Sequence, residues 1–340
     1  VAGMKRIAMK KMDKHNLLLL VSTLIVGTFV SMIRPNIFLT WDNLNSMLLQ
    51  ISEVGLLTIG MMFAFLIDGI DLSIVSNAVL SATAGGYVIL KISPGNTGLG
   101  IAVGIITAIL LGTICGLING YLVAKIKLPA ILATLGTNSL YRGIAMGMTK
   151  GSTLSGYPEV FSKISNSTLA GIYNAFLIFL IVAIAAALYL NLTKEGFLAA
   201  MTGNNKKAAA YSGINIEKSI IKVHGMIGMI AGIAGIVMMS RSNSINPDYG
   251  TSYLLQTILV CVVAGVSISG GKAKLSGIVL ALLLMQIIST SFNMLLTQYT
   301  GANFFKNFAW GALLLIIMIL EYYQSNRRNK PVKRSEDQYE

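Results

Sequence analysis

Gly203-Asn204-Asn205-Lys206-Lys207-Ala208-Ala209-Ala210-Tyr211-Ser212-Gly213 lies within the polar stretch Thr193 to Lys222, and long apolar runs stand on both sides of that stretch. Asn204 or Asn205 can cap a first helical turn, the alanines propagate it, and Gly213 can take the left-handed conformation that ends it. A short capped helix between two apolar runs suits the docking of a soluble partner. Nothing else on the same side of the chain is large enough for that purpose.

The composition explains the apolar runs. A chain of 340 residues that is 54% hydrophobic and 11% charged, with a mean hydropathy of +0.72, has too much apolar surface for a water-soluble globule. It reads as an all-α polytopic membrane protein, because spans in lipid must satisfy their backbone groups internally and helices do so. Ten apolar stretches predict about ten transmembrane helices, at 17–33, 54–67, 74–90, 99–123, 130–148, 172–192, 223–240, 254–268, 275–296 and 304–320. Several are short, which raises the prospect of breaks near the midplane.

The basic residues set the orientation. With both termini cytoplasmic, 19 of the 26 Lys and Arg fall inside, on segments 1–16, 193–222 and 321–340 and at Lys125, Lys127, Lys272 and Lys274. Six lie outside or at outer mouths, and Arg142 remains within a span; this bias follows the positive-inside rule. The organisation predicted is a basic cytoplasmic tail at 1–16, a membrane domain at 17–320 holding the cytoplasmic loop 193–222, and a cytoplasmic tail at 321–340. The net charge of +13 is then a signal of topology and headgroup contact. No soluble basic domain with stacking aromatics is present, so no nucleic-acid partner is expected.

The N-terminal basic residues before an apolar run resemble a signal peptide, but Arg34-Pro35 follows in place of a small-residue cleavage site, so an uncleaved first span is expected. Phe38 to Gln50, with Thr40 as a cap and Asp42 in the first turn, reads as a separate helix lying at the outer interface. Cys115 and Cys261 fall inside apolar spans, where cysteine acts as a small hydrophobe. His15 reads as a tail residue and His224 as lying at a span mouth.

Motifs for chemistry are largely missing. Gly265 to Ala273 superficially resembles a phosphate-cradling loop, but the glycine spacing is wrong and Ala273 cannot ligate a cation, so a tight turn is expected and no ATPase of the chain's own. No His-Glu-x-x-His or Gly-x-Ser-x-Gly occurs, which disfavours an embedded hydrolase. No cofactor or metal is expected.

Four ionisable residues sit near or inside the apolar runs, where a charge is costly unless paired or wet: Glu53, Asp68, Asp71 and Arg142. Glu53 fits the outer headgroup region, Asp68 a solvated inner turn, and Asp71 or Ser73 a helix N-cap. Arg142 lies beyond the middle of its span. It snorkels outward, faces an aqueous path, or pairs with Asp68 or Asp71 if the second span breaks near the midplane.

Taken in order, several stretches resemble the permease subunits of bacterial ABC sugar importers, the ribose-type permease family, over nearly the whole chain. They are Gly69-Ile70-Asp71-Leu72-Ser73, Leu128-Pro129, Ala133-Thr134-Leu135-Gly136-Thr137, Tyr141-Arg142-Gly143, Gly203-Asn204 with Ala208-Ala209 and Ser212-Gly213-Ile214, Ala231-Gly232 with Ala234-Gly235, and Ser267-Ile268-Ser269-Gly270-Gly271. The resemblance implies a type II importer architecture in the bacterial inner membrane. Two permease chains, identical or different, form the pathway; two cytosolic ABC ATPases use the ATP; an extracytoplasmic binding protein delivers a sugar-like solute. It implies that Gly203, Asn204, Asn205, Ala208, Ala209 and Gly213 belong to the ATPase-coupling element. The candidate pathway or gate residues are Asp68, Asp71, Ser73, Asn138 and Arg142.

The chain departs from the family pattern at three places. Asp68 stands where Gly is usual, Ile74-Val75 where Val-Gly is usual, and Ala264-Gly265-Val266-Ser267 replaces a usual Gly-Gly-Thr/Ala-Ser. These changes surround the expected path, and relatives carry ribose, other pentoses, hexoses or autoinducer-2. An ion-coupled secondary transporter is the competing reading, and it would need intramembrane carboxylates.

Overall fold

The structure, a computed structural model, describes residues 14–296, 305, 308–316, 318 and 319. The elements run α1 (Lys14–Ile33), α2 (Pro35–Phe38), α3 (Trp41–Leu66), α4 (Ile74–Ile92), α5 (Thr97–Ala124), α6 (Ala130–Thr149), β1 (Leu154–Ser155), α7 (Glu159–Asn166), β2 (Thr168–Leu169) and β3 (Ile172–Tyr173). They continue with α8 (Asn174–Leu192), α9 (Lys194–Asn204), α10 (Lys206–Tyr211), α11 (Ile216–Ser242), β4 (Ser244–Ile245), α12 (Tyr253–Val263) and α13 (Leu275–Leu296), and residues 308–316 are helical. The tails expected at 1–16 and 321–340 lie mostly or wholly outside the described residues, whereas the span expected at 304–320 is described at 305, 308–316, 318 and 319, all helical.

Among the described residues, seven helices are long and apolar enough to cross a membrane: α1, α3, α4, α5, α8, α11 and α13. The chain is therefore a multi-pass membrane protein. The 20-residue α6 carries Thr, Asn, Ser and Arg142 along its length, and α12 has only 11 residues, so neither meets both criteria. The two short strand pairs, β1 with β4 and β2 with β3, are antiparallel clasps on connecting segments.

α3, α4 and α11 are mostly buried, while α1, α5 and α8 leave most of their surface outward. Close approach of α5 and α11 is made by glycines. A Cβ on Gly112 or Gly116 would strike the backbone of Gly228, and one on Gly232 would strike Ala108 and Ile109. Between helices in lipid, such small residues let backbones meet and gain dispersion contacts. Gly235 likewise faces Ala78 of α4, so the Ala231-Gly232 and Ala234-Gly235 pairs are packing positions.

Two expectations about helix ends are corrected. Phe38 to Gln50 is not a separate interfacial helix: the helix capped by Thr40 runs unbroken from Trp41 to Leu66. Its polar residues find partners within the bundle, as Ser52 does with Leu48 O at 2.7 Å and Gln50 with Gln286 at 3.2 Å. His224 is not at a span mouth, because α11 begins at Ile216 and buries it, with Nδ1 3.0 Å from Ile220 O. His15 meets Val263 O at 2.9 Å.

The helix ends sort onto two faces. The ends of α3, α5, α9 and α12 share one with α10 and with the starts of α1, α6, α11 and α13, and this face is termed inner after the orientation expected from the basic residues. The opposite, outer face holds the ends of α6 and α11, with α7 and the segment 243–252.

Candidate coupling surface and pathway residues

α10 forms where the sequence places it. Asn205 accepts from Ala208 N at 3.0 Å as the cap, and Gly213, at φ 75, ends the turn. Ala209 is buried and pins the helix from beneath. Asn205, Ala208 and Gly213 stay exposed, and Tyr211 is 93% exposed. Gly203 and Asn204 instead close α9. Gly203 packs against Leu66 and Gly271, and Gly271 N donates to Leu66 O at 2.9 Å. The expected tight turn is thus present, with Gly265, Gly270 and Gly271 all at positive φ, and it knots the ends of α3 and α9.

Asp68 lies beside that knot. It is half-exposed, sits at φ 60, and accepts from Lys206 Nζ at 2.9 Å, Lys206 being the first residue of α10. A cavity of about 760 Å³ opens next to the pair, between the α5–α6 connection, α10 and the start of α11, with His224 in its lining. Lys125 and Glu217 pair at its margin at 2.6 Å, and the Glu217 carboxylate raises the Lys125 pKa.

Asp71 and Ser73 are fully buried. Ser73 occupies the cap position of α4 without a side-chain cap bond. Instead Asp71 Oδ1 accepts from Ser73 N at 2.9 Å and from Ser73 Oγ at 2.6 Å. Asn119 Nδ2 donates to Ser73 Oγ at 2.7 Å, and Tyr141 OH donates to Cys115 O at 2.9 Å, with Asn119 Oδ1 3.4 Å away. Thr134 Oγ1 donates to Ile70 O at 3.0 Å. The α3–α4 turn is thereby bonded to α5 and α6.

On the outer side, Arg142 pairs neither with Asp68 nor with Asp71. Its Nε and Nη2 donate to Asp248 Oδ1 at 3.1 and 2.5 Å, because α6 carries it to the outer face while both acids stay at the inner turn. Asn138, partly buried, accepts from Ser76 Oγ and joins α6 to α4. The candidates read from the sequence therefore form an inner group, Asp68, Asp71 and Ser73, and an outer group, Asn138 and Arg142.

Glu53 is enclosed within the helix bundle and not exposed at its surface. It is fully buried in α3, 2.9 Å from Arg241 Nη1, and it accepts from Tyr249 OH at 3.1 Å and Tyr253 OH at 2.8 Å. Burial raises the pKa of Tyr249, keeping the phenol a donor. Sequence reasoning misses Arg241 and the two tyrosines as site residues. The one available signal is the excess of polar and aromatic residues after α11, which ordinary loops share.

The family model described as "Branched-chain amino acid transport system / permease component" matches residues 43–320, and the chain belongs to this family of transport-system permeases. Within it, the chain is similar to the ribose import permease protein of Haemophilus influenzae, 31% identical over 312 residues, covering 91% of this chain and 93% of that one. The ribose import permease protein of Escherichia coli is 31% identical over 306 residues, 88% of this chain and 91% of its own. The D-allose transport system permease protein of Escherichia coli is 29% identical over 309 residues, 91% of each. No solved structure matches the chain. It is a ribose-type permease and a protein of the bacterial inner membrane.

Proposed function

We propose that the chain is the membrane-spanning permease subunit of an ATP-driven importer, forming with a second permease chain the path for a sugar-like solute. ATP is used by separate cytosolic ATPases that dock on α10, and a binding protein delivers the solute at the outer face. Ten spans with both termini cytoplasmic complete this arrangement. The observation that carries the reading is α10 itself: a capped helix pinned by Ala209 and presenting Tyr211 from the inner face. Relatives named for ribose, D-allose and L-arabinose support a sugar over an amino acid. The buried carboxylates do not favour ion coupling, because Glu53 is held by Arg241 and two tyrosines and Asp71 by Ser73.

The test is uptake of radiolabelled ribose, D-allose and L-arabinose by cells expressing the chain with its ATPase and binding protein. Uptake of at least one sugar is expected to need the binding protein and to stop when ATP is depleted. Uptake that survives ATP depletion but collapses with the ion gradient replaces this reading with a secondary transporter.

A further inference from the structure

Asp68 holds a backbone conformation that disfavours it. Its φ of 60 lies in the left-handed region, where glycine is at ease and an aspartate, though more tolerant than most side chains, still carries a backbone cost. The family resemblance places a glycine there. The contact that the Asp68 side chain makes is the hydrogen-bonded ion pair with Lys206 at 2.9 Å. That pair is half-exposed on both sides, so it contributes little to stability. Its location is more informative than its energy. Lys206 opens α10, and Asp68 opens the turn whose Ile70 and Asp71–Ser73 are bonded to α6 and α5 through Thr134 and Asn119.

We propose that Asp68 is a positioning residue for energy coupling: through Lys206 it ties the docking helix α10 to the α3–α4 turn, and that turn carries the displacement of α10 into α5 and α6. The inference rests on α10 being the ATPase contact. A costly backbone conformation held beside the docking helix accords with a functional constraint at this position. The hydrogen-bonded turn supplies the contiguous physical link that such coupling requires.

The experiment uses the full permease with its ATPase and binding protein in proteoliposomes, and reads sugar imported per ATP hydrolysed with ribose, D-allose and L-arabinose. Asp68→Gly relaxes the backbone, Asp68→Asn keeps a left-handed-tolerant residue without charge, and Lys206→Gln removes the other partner. The Asp68 variants are expected to insert at parental levels, to retain the ATPase on purification and to hydrolyse ATP, while sugar per ATP falls about fivefold or more in these and in Lys206→Gln. The double variant Asp68→Gly/Lys206→Gln is expected to be no worse than either single, because both break one link. An unchanged ratio in Asp68→Gly, or losses that multiply in the double variant, overturns the proposal. A photo-cross-linker at Tyr211 in the otherwise unaltered complex checks the underlying reading separately. Absence of any adduct with the ATPase removes that reading and this proposal together, whereas adducts with a fully coupled Asp68→Gly remove the proposal alone.

Discussion

Glu53 and Asp68 both belong to the α3 segment and each accepts from a basic side chain, yet the two pairs are built for opposite purposes. Glu53 is fully buried, and Arg241, Tyr249 and Tyr253 supply donors to its carboxylate from α11, the following loop and α12. Asp68 is half-exposed, strained in its backbone and held by one lysine. A buried charge that loses its partner is left uncompensated in a poor solvent, so the outer cluster resists any change of partners. A half-exposed pair can separate and re-form at little cost, because water replaces the lost partner. The difference divides the molecule into a fixed outer joint and an adjustable inner one.

The largest expected effect tests the fixed joint. Glu53→Gln leaves Arg241, whose side chain is only 26% exposed, without its countercharge and should destabilise the protein by about 3 kcal/mol, the low end for a broken buried pair, read from unfolding in detergent. Replacing both partners, as Glu53→Leu with Arg241→Leu, should recover much of that loss, since an apolar pair has no desolvation cost to repay. Asp68→Gly, in contrast, should change stability by at most about 1 kcal/mol in either direction, as relief of strain offsets loss of an exposed pair. Equal destabilisation by Glu53→Gln and Asp68→Gly would erase the distinction between the two joints.

Local signals are legible in the sequence and distant pairings are not. The cap at Asn205 and the stop at Gly213 depend on residues within one or two turns, so α10 can be placed from sequence. Sequence alone cuts the α3 helix short, because Gln50, Ser52 and Glu53 interrupt its hydropathy. Their burial depends on Gln286, Leu48 O and Arg241, and two of these partners are far along the chain. Asp71 and Ser73 read as a cap for the same reason: an Asp-x-Ser before an apolar run looks like one, and only the arrival of Asn119 turns it into a bridge to α5. Arg142 is recognisable as a charge in need of a partner. Asp248, which it meets, lies in a loop whose composition does not distinguish it from solvated surface.

A middle-sized effect sharpens the account of the outer cluster. Tyr253→Phe deletes a donor to a buried carboxylate without changing shape, and should cost about 1.5–3 kcal/mol. Tyr249→Phe removes the longer bond and should cost less, since at 3.1 Å against 2.8 Å it is the weaker of the two. The same order should appear in the rate at which a cysteine at Ser252 is labelled by an impermeant thiol reagent in a background lacking Cys115 and Cys261. Equal labelling of both variants and the parent would show that the tyrosines do not hold the loop.

The smallest expected effect concerns Arg142 and Asp248. Their contact is short and two-pronged, but both side chains are about half exposed, 47% and 54%, so solvent competes for each charge. A double-mutant cycle of Arg142→Ala with Asp248→Ala should give a coupling of at most about 1 kcal/mol in stability. Raising the salt should shrink it, because exposed pairs are screened over about 10 Å at 0.1 M. Cycles of Arg142→Ala with Asp68→Ala or Asp71→Ala should give none, since those acids stand at the other face. A coupling to Asp248 that resists salt and exceeds that of the Glu53 cluster would mean that the outer loop is fixed through α6. The assignment of a rigid joint to α3 and α11 would then have to move to Arg142.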